Sequence, residues 1–184
     1  SFGRVNSLYV RADMTNPDTA RMAFLQRPQI IVHNPPADGT LRGAAAAEGI
    51  PAVTVEIGNP GRMQHDFIRR STVGIRSVLS AWGMVPKRQY KLGPPPVICE
   101  RSFWMYTDMG GLLEVHPRVT DLVDKEQQIA TVVDIFGSPV TSYRAPQAGI
   151  VIGHNADPIA STGARILHLG VVAPAGSPLI PEKS

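Results

Sequence analysis

Hydrophobic and polar positions in the first half of the chain follow two periods in turn, which predicts alternating strands and helices. Val5–Val10 alternates between apolar and polar residues, and short continuous apolar runs follow it, as is typical of strands. Between these runs, apolar residues recur at the spacing of an amphipathic helix. The predicted strands lie at 5–10, 29–32 and 51–58, and the predicted helices at 13–27, 41–48 and 67–83. This alternation indicates an α/β fold with a largely parallel sheet.

The pattern changes after Lys87–Pro96, a basic and proline-rich segment that is typical of a linker. Short apolar pieces separated by glycine and proline turns follow it and predict an all-β module. Within this module Val123–Val132 is echoed by Ile159–His168, because each has a turn, a small residue and then an alternating strand. The echo indicates two interlocked hairpin units. We therefore predict an α/β domain at 1–88 and a β-rich domain at 89–184 with a loose C-terminal tail.

Composition excludes several classes of function. Apolar residues make up 43% of the 184 residues, which is enough for a packed core. The net charge of +3 is scattered without a block of like charges, so we expect no nucleic-acid partner. No apolar stretch approaches the roughly 18 residues of a membrane span, so we expect no membrane partner. A single cysteine, Cys99, excludes an internal disulfide framework within one chain.

The residues themselves offer one candidate for catalysis, Glu56, which follows an apolar run at the predicted carboxyl end of a strand. Burial there would raise the pKa of its carboxyl group and suit it to act as a general base. The alternative is a carboxylate that pairs with an arginine or caps a loop. Arg4, Asn6, Arg11 and Arg42 are candidates for clamping a substrate carboxylate, or else they are solvated or ion-paired side chains.

Other catalytic motifs are missing from the sequence. The five histidines have neither the His-x-x-x-His nor the His-x-x-Glu spacing of paired metal ligands. The chain also has no Gly-x-Ser-x-Gly elbow, phosphate loop or dinucleotide fingerprint. His33 ends a predicted strand, but we assign it no metal. By motif alone, the chain is not a self-contained enzyme.

Three segments resemble the succinylglutamate desuccinylase/aspartoacylase family, whose members are zinc amidohydrolases related to the carboxypeptidase A-like peptidases. The segments are Ser1–Asp13, Asp38–Arg42 and Gly49–Gly58, of which the last is the most specific. The resemblance implies that the chain is the C-terminal part of a zinc-carboxypeptidase-like mixed sheet with helices, followed by a small β-barrel of the barrel-sandwich type. It also implies a zinc-dependent hydrolase of linear amide bonds, a deacylase or desuccinylase acting on a small N-acyl amino acid.

The resemblance also implies roles for individual residues. Glu56 matches the catalytic glutamate of the family, a general base toward zinc-bound water and then a general acid toward the leaving amine. The zinc ligands would precede Ser1, so we expect this chain alone to be inactive. Arg4, Asn6 and Arg11 would line or support the pocket mouth, and Arg42 is a weaker candidate. The family further implies a cytoplasmic homo-oligomer.

Two alternatives remain. The chain could be a truncated, non-enzymatic module for binding or oligomerisation. The β-rich part also resembles a biotinyl or lipoyl carrier module, whose modified lysine must stand on an exposed hairpin tip. Asp134–Tyr143, the corresponding segment, has no lysine, which disfavours the carrier function. A non-modified module that packs on the hydrolase domain or mediates oligomerisation is the better interpretation of this part.

Overall fold

A computed structural model describes residues 3–36, 39–87 and 94–180, and it divides the chain into two compact units. Unit 1 comprises the residues up to Ser7, Asn59–Arg62 and Ser102–Val172. Unit 2 comprises Leu8–Gly58, Met63–Arg101 and the chain from Ala173 onward. Both units are therefore discontinuous, whereas the sequence predicts two continuous domains. The predicted boundary at residue 88 and most of the predicted linker lie outside the described residues.

The described residues form three helices and twelve strands. The helices are α1 Pro17–Leu25, α2 Leu41–Ala47 and α3 His65–Ala81. The strands are β1 Arg4–Asn6, β2 Leu8–Ala12, β3 Ile30–His33, β4 Thr54–Ile57, β5 Val97–Tyr106, β6 Gly111–Val115, β7 Leu122–Val123, β8 Gln128–Val133, β9 Pro139–Arg144, β10 Gly149–Asn155, β11 Ile159–Ala160 and β12 Arg165–Val172. Hydrogen bonding places eight of these strands in a mixed sheet and four in an antiparallel sheet. The mixed α/β class is thus confirmed.

Unit 2 contains the strand order β5-β3-β2-β4. Strand β3 is parallel to both β2 and β5, as the alternation of strands and helices predicts. Strand β4 departs from the prediction in two ways, because it is antiparallel to β2 and lies at the edge of the sheet. Among the described strands β4 has a partner on one side only, so its residues are half-buried or exposed. The buried strand predicted at 51–58 is wrong in this respect.

The helices of unit 2 begin where the sequence provides caps. The Asn16 side chain accepts the N–H groups of Asp18 and Thr19 at the start of α1, and the Thr40 hydroxyl accepts the N–H group of Gly43 in α2. Ala23 of α1 packs on a core formed by one face of the sheet, which includes Val10 and Ile31. α1 is shorter than the predicted 13–27 because residues 13–16 form its capped entry. No helix among the described residues is long and apolar enough to cross a membrane.

Unit 1 is built from two open sheets around a shared core. One contains β1-β10-β12-β5 with β7 on β10, and the other is β11-β6-β8-β9. Ile129 and Val132 of β8 pack in the same core as Val151 of β10 and Leu167 of β12. The described strands do not close into a continuous sheet, so the predicted barrel is not confirmed. The two sheets instead form a sandwich.

The structure contains a duplication in which strands β5–β8 are repeated by β9–β12, in a register that differs by one residue or more from the 36-residue offset of the sequence echo. Equivalent positions lie 37 or 38 residues apart. The short strand β7 pairs with β10 of the second repeat, and β11 pairs with β6 of the first, so the two repeats interlock. Backbone hydrogen bonds recur at equivalent positions as well. The Glu126 N–H donates to Ala145 O, and the Ala145 N–H donates to Gln127 O. The equivalent bonds run from the Gly163 N–H to Thr107 O and from the Thr107 N–H to Ala164 O.

Candidate functional site

Glu56 lies on the edge strand β4 of unit 2, directly opposite Tyr9 of β2. Directly opposed residues of an antiparallel pair share a face, with Cβ atoms about 4.5–5.5 Å apart. Glu56 is half-buried. No described residue forms a hydrogen bond or an ion pair with its carboxylate. The two alternatives, pairing with an arginine and capping a loop, are therefore not observed among the described residues.

Arg11 shares this face of unit 2, because it stands two residues after Tyr9 on the same strand. Its Nη2 donates a hydrogen bond to the Tyr9 hydroxyl at 3.2 Å, and its guanidinium carbon is 5.5 Å from the centre of the Tyr9 ring. Tyr9 is only 4% exposed, so it holds the arginine against a fixed surface. The Tyr9 face, consisting of Tyr9, Arg11, Thr54 and Glu56, thus combines a carboxylate with a cation.

Arg42 lies in a different part of unit 2. It is buried in a cleft of about 200 Å³ that Asp13, Asn16 and Ala52 also line, and its Nη1 donates to Asn34 O at 2.8 Å. Asn34 and Asp13 follow the carboxyl ends of β3 and β2, whereas Glu56 pairs near the start of β2. Because β4 is antiparallel to β2, the segment that connects α2 to β4 reaches the sheet at the carboxyl end of β2, near Asp13. Asp13 follows Tyr9 by four positions, and four steps along a strand correspond to roughly 13 Å between the Glu56 and Arg42 ends of β2.

Asp13 and His33 give this cleft further polar groups. The His33 Nδ1 accepts the Met14 N–H at 3.1 Å and lies 3.9 Å from the Asp13 carboxylate. Burial raises the pKa of Asp13, but hydrogen bonds from Thr15 and the charges of His33 and Arg42 outweigh burial and lower it. Among the described residues, no group of three histidine, cysteine, aspartate or glutamate side chains could hold a metal ion.

The single cysteine of the chain is unsuited to nucleophilic chemistry. Cys99 is completely buried, and this burial raises the pKa of its thiol to about 12. A thiol with such a pKa stays protonated near neutral pH, and the thiolate is the nucleophilic form. Cys99 therefore contributes to packing.

Arg4 and Asn6 belong to unit 1 and share one face of its larger sheet. Asn6 of β1 is opposite Gly153 of β10, and Gly153 is opposite His168 of β12. The Asn6 side chain lies over Gly153, where a Cβ atom would collide with it. Arg4 precedes Asn6 by two positions and so points to the same side. The structure thus brings these two predicted residues together.

A group that the sequence does not predict as a site accompanies them in unit 1. Trp104 stacks on the buried ring of His168, with ring centres 4.8 Å apart and planes inclined by 11°. The guanidinium carbons of Arg4 and Arg165 lie 5.7 Å and 5.0 Å from the centre of the Trp104 ring. We call Arg4, Trp104, Arg165 and His168 the Trp104 cluster. Its members come from three strands, and periodicity along the chain gives no signal for such a contact.

Comparison with known proteins places the fold. No family model matches the chain, and no curated protein is significantly similar to it. Solved structures do match. The apo structure of the ectoine utilization protein EutE (DoeB) from Ruegeria pomeroyi has a TM-score of 0.80 at 21% identity over 92% of this chain. A succinylglutamate desuccinylase from Silicibacter sp. TM1040 has a TM-score of 0.79 at 18% identity over 93% of this chain. A succinylglutamate desuccinylase/aspartoacylase from Rhodobacter sphaeroides has a TM-score of 0.79 at 16% identity over 94% of this chain.

These matches cover 56%, 55% and 56% of the respective solved chains, so this chain spans little more than half the length of the proteins it matches. Its architecture is a mixed α/β fold in which a β-sandwich accompanies a partly parallel sheet. That architecture is the fold of the matched part of these succinylglutamate desuccinylase/aspartoacylase family proteins. The resemblance to this family is thereby confirmed at the level of the fold.

Proposed function

We propose that the chain is part of a zinc-dependent amidohydrolase that cleaves the amide bond of a small N-acyl amino acid. The observation that supports this most directly is the Glu56 carboxylate. It lies in the segment that resembles the family most closely, is half-buried, and has no hydrogen-bond or ion-pair partner among the described residues. The fold likeness to family hydrolases supports the same proposal.

Glu56 acts in this proposal as a general base and then as a general acid. Its carboxylate accepts a proton from water as the water oxygen bonds to the amide carbonyl carbon. The same proton then passes to the amide nitrogen as the C–N bond breaks, which releases a carboxylic acid and a free amine. A carboxylate that is not held by another group can make both transfers.

The described residues do not fit a zinc site by themselves, because no three suitable side chains meet among them. In the proposal the zinc ligands belong to a segment outside this chain, and the steps assigned to this chain are those of Glu56. We accordingly propose that the 184-residue chain alone neither binds zinc tightly nor hydrolyses N-acyl amino acids. Arg4, Asn6, Arg11 and Arg42 remain proposed substrate-binding residues.

The test is the replacement Glu56→Gln in the protein that contains this chain together with the segment before it. Release of free amine from a panel of N-acetyl and N-succinyl amino acids measures turnover. We expect kcat to fall by about 10²–10⁴-fold, the usual contribution of general acid–base catalysis, with zinc content unchanged. Glu48→Gln is the matched control, since Glu48 is an exposed carboxylate at the end of α2 in the same unit.

Full activity in the Glu56→Gln protein, or loss of zinc from it, would contradict the role of Glu56. Absence of hydrolysis in the unmodified longer protein, with zinc bound, would contradict the proposed activity. We also propose a cytoplasmic homo-oligomer, and sedimentation velocity of the longer protein tests its assembly.

A further inference from the structure

We propose that the Trp104 cluster of unit 1 is a binding site for a carboxylate, in which Arg4 and Arg165 hold the anion against the indole of Trp104. Use of the site for a substrate rests on the proposed function. Binding of a carboxylate does not, because every residue of the site belongs to unit 1.

Two cations converge here without a counter-ion. Neither Arg4 nor Arg165 forms an ion pair or a side-chain hydrogen bond with any described residue. The nearby Asp157, which lies next to Gly3, uses its carboxylate to accept the N–H of Ile159 at 3.0 Å. Two unpaired guanidinium groups on one ring repel each other, and an anion between them would remove that repulsion.

Arg4 carries the stronger evidence for a missing partner. Its Nε is inaccessible to solvent and has no hydrogen-bond partner among the described residues. A buried donor left unpaired is costly, and such groups in folded proteins are nearly always satisfied by protein or by ordered water. A guanidinium presents its donors in a planar fork that fits a carboxylate.

The aromatic part of the cluster is fixed in place. Stacking on His168, which is 1% exposed and shares a 2.9 Å hydrogen bond with Ser102, holds the indole of Trp104 in one orientation. The indole therefore offers a rigid apolar wall beside the two cations. Such a wall favours an anion carried on a small organic group over a bare inorganic ion.

The internal duplication shows that the fold does not require this cluster. The positions equivalent to Trp104, Arg165 and His168 in the other repeat are occupied by Ser142, Gln128 and Thr131. Strands β8 and β9, which carry these three small or neutral side chains, pair with each other as the equivalent strands β12 and β5 do. Trp104, Arg165 and His168 are thus a local addition to a framework that forms without them.

The experiment uses the full 184-residue chain carrying Trp82→Phe. Trp104 is then the only tryptophan, because the sequence contains two. Its fluorescence is titrated with sodium succinate over the millimolar range, with sodium chloride at matched ionic strength as the reference. We expect a saturable change that succinate causes and chloride does not. Arg4→Gln and Arg165→Gln should each weaken binding about tenfold, the loss typical of one charge-assisted hydrogen bond.

Arg21→Gln is the matched control, since Arg21 lies 5.1 Å from the centre of the Trp82 ring and belongs to unit 2. It should leave the titration unchanged. No saturable response, or one that neither Arg4→Gln nor Arg165→Gln weakens, would overturn the proposal. A response to phosphate but not to succinate would overturn the carboxylate class. Arg165 is exposed, so its variant decides the matter even where Arg4→Gln fails to fold.

Discussion

Replacing Gly153 by alanine should destabilise unit 1, because the added methyl group has no room. A Cβ at this position would lie 2.8 Å from the backbone oxygen of Val5 and would also collide with the side-chain oxygen of Asn6. The Asn6 side chain can rotate away, but the Val5 oxygen belongs to strand β1 and moves only with that strand. Overpacking of this kind costs about 1–3 kcal/mol. Alanine in place of a strand glycine recovers roughly 0.5–1 kcal/mol, which leaves a net loss of about 0–2.5 kcal/mol, centred near 1 kcal/mol.

The matched control is Gly110→Ala in the same unit. A Cβ there would meet its nearest atom, the oxygen of Ala160, at 3.4 Å, which is an ordinary contact, and the backbone of neither glycine has a positive φ. Urea unfolding followed by far-ultraviolet circular dichroism gives the free energy of unfolding of each variant. We expect Gly110→Ala to match or slightly exceed the parent and Gly153→Ala to fall below both. Equal stability of the two variants would refute the assignment of β1 to its place beside β10.

Two further predictions concern unit 2. Asp13→Asn should flatten the pH dependence of stability at acid pH. The folded-state pKa of Asp13 lies below its ordinary 3.8, so its contribution is present above that value and disappears as pH falls through the lower, folded-state value. Unfolding free energies measured between neutral and strongly acid pH check this, and an unchanged profile would contradict it. Ser71→Ala should raise stability by about 1 kcal/mol, because its buried hydroxyl has no partner among the described residues. Ser77→Ala, which removes a hydroxyl bonded to the Val73 oxygen at 2.8 Å, should bring no such gain.

The sequence predicts the elements of unit 2 well but not how they are connected in space. Periodicity locates a strand at Gln29–Val32, which forms near the predicted position as β3. The single strand predicted at Val5–Val10 is instead divided into β1 and β2, which belong to different units and pair with different strands. Periodicity does not reveal that β4 runs antiparallel to β2, because strand direction depends on where the turn after α2 meets the sheet. That reversal also separates Arg42 from Glu56, although the two residues are only 14 positions apart in the chain.

Contacts between residues that are distant in the sequence limit in a similar way how much of the candidate sites can be predicted from the sequence. The sequence singles out Glu56 from its place in an apolar run, and the structure puts it on a sheet face as a half-buried carboxylate. The stack of Trp104 on His168 joins residues that are 64 positions apart, and the approach of Arg4 depends on pairing of β1 with β10. No local pattern encodes these distances. They become visible only after the strands are ordered.

The duplication in unit 1 bears on the carrier alternative as well. In a biotinyl or lipoyl carrier the modified lysine stands at an exposed hairpin tip between the two halves, and the turn between β8 and β9 is where the two repeats meet in this chain. Here the tip carries Ile135 and Phe136, which are 82% and 86% exposed. The Asp134 carboxylate accepts the N–H groups of Phe136 and Ser138 at 2.8 Å each and so fixes the turn. The turn between β8 and β9 therefore presents an apolar tip that offers no amine to modify, which disfavours the carrier alternative.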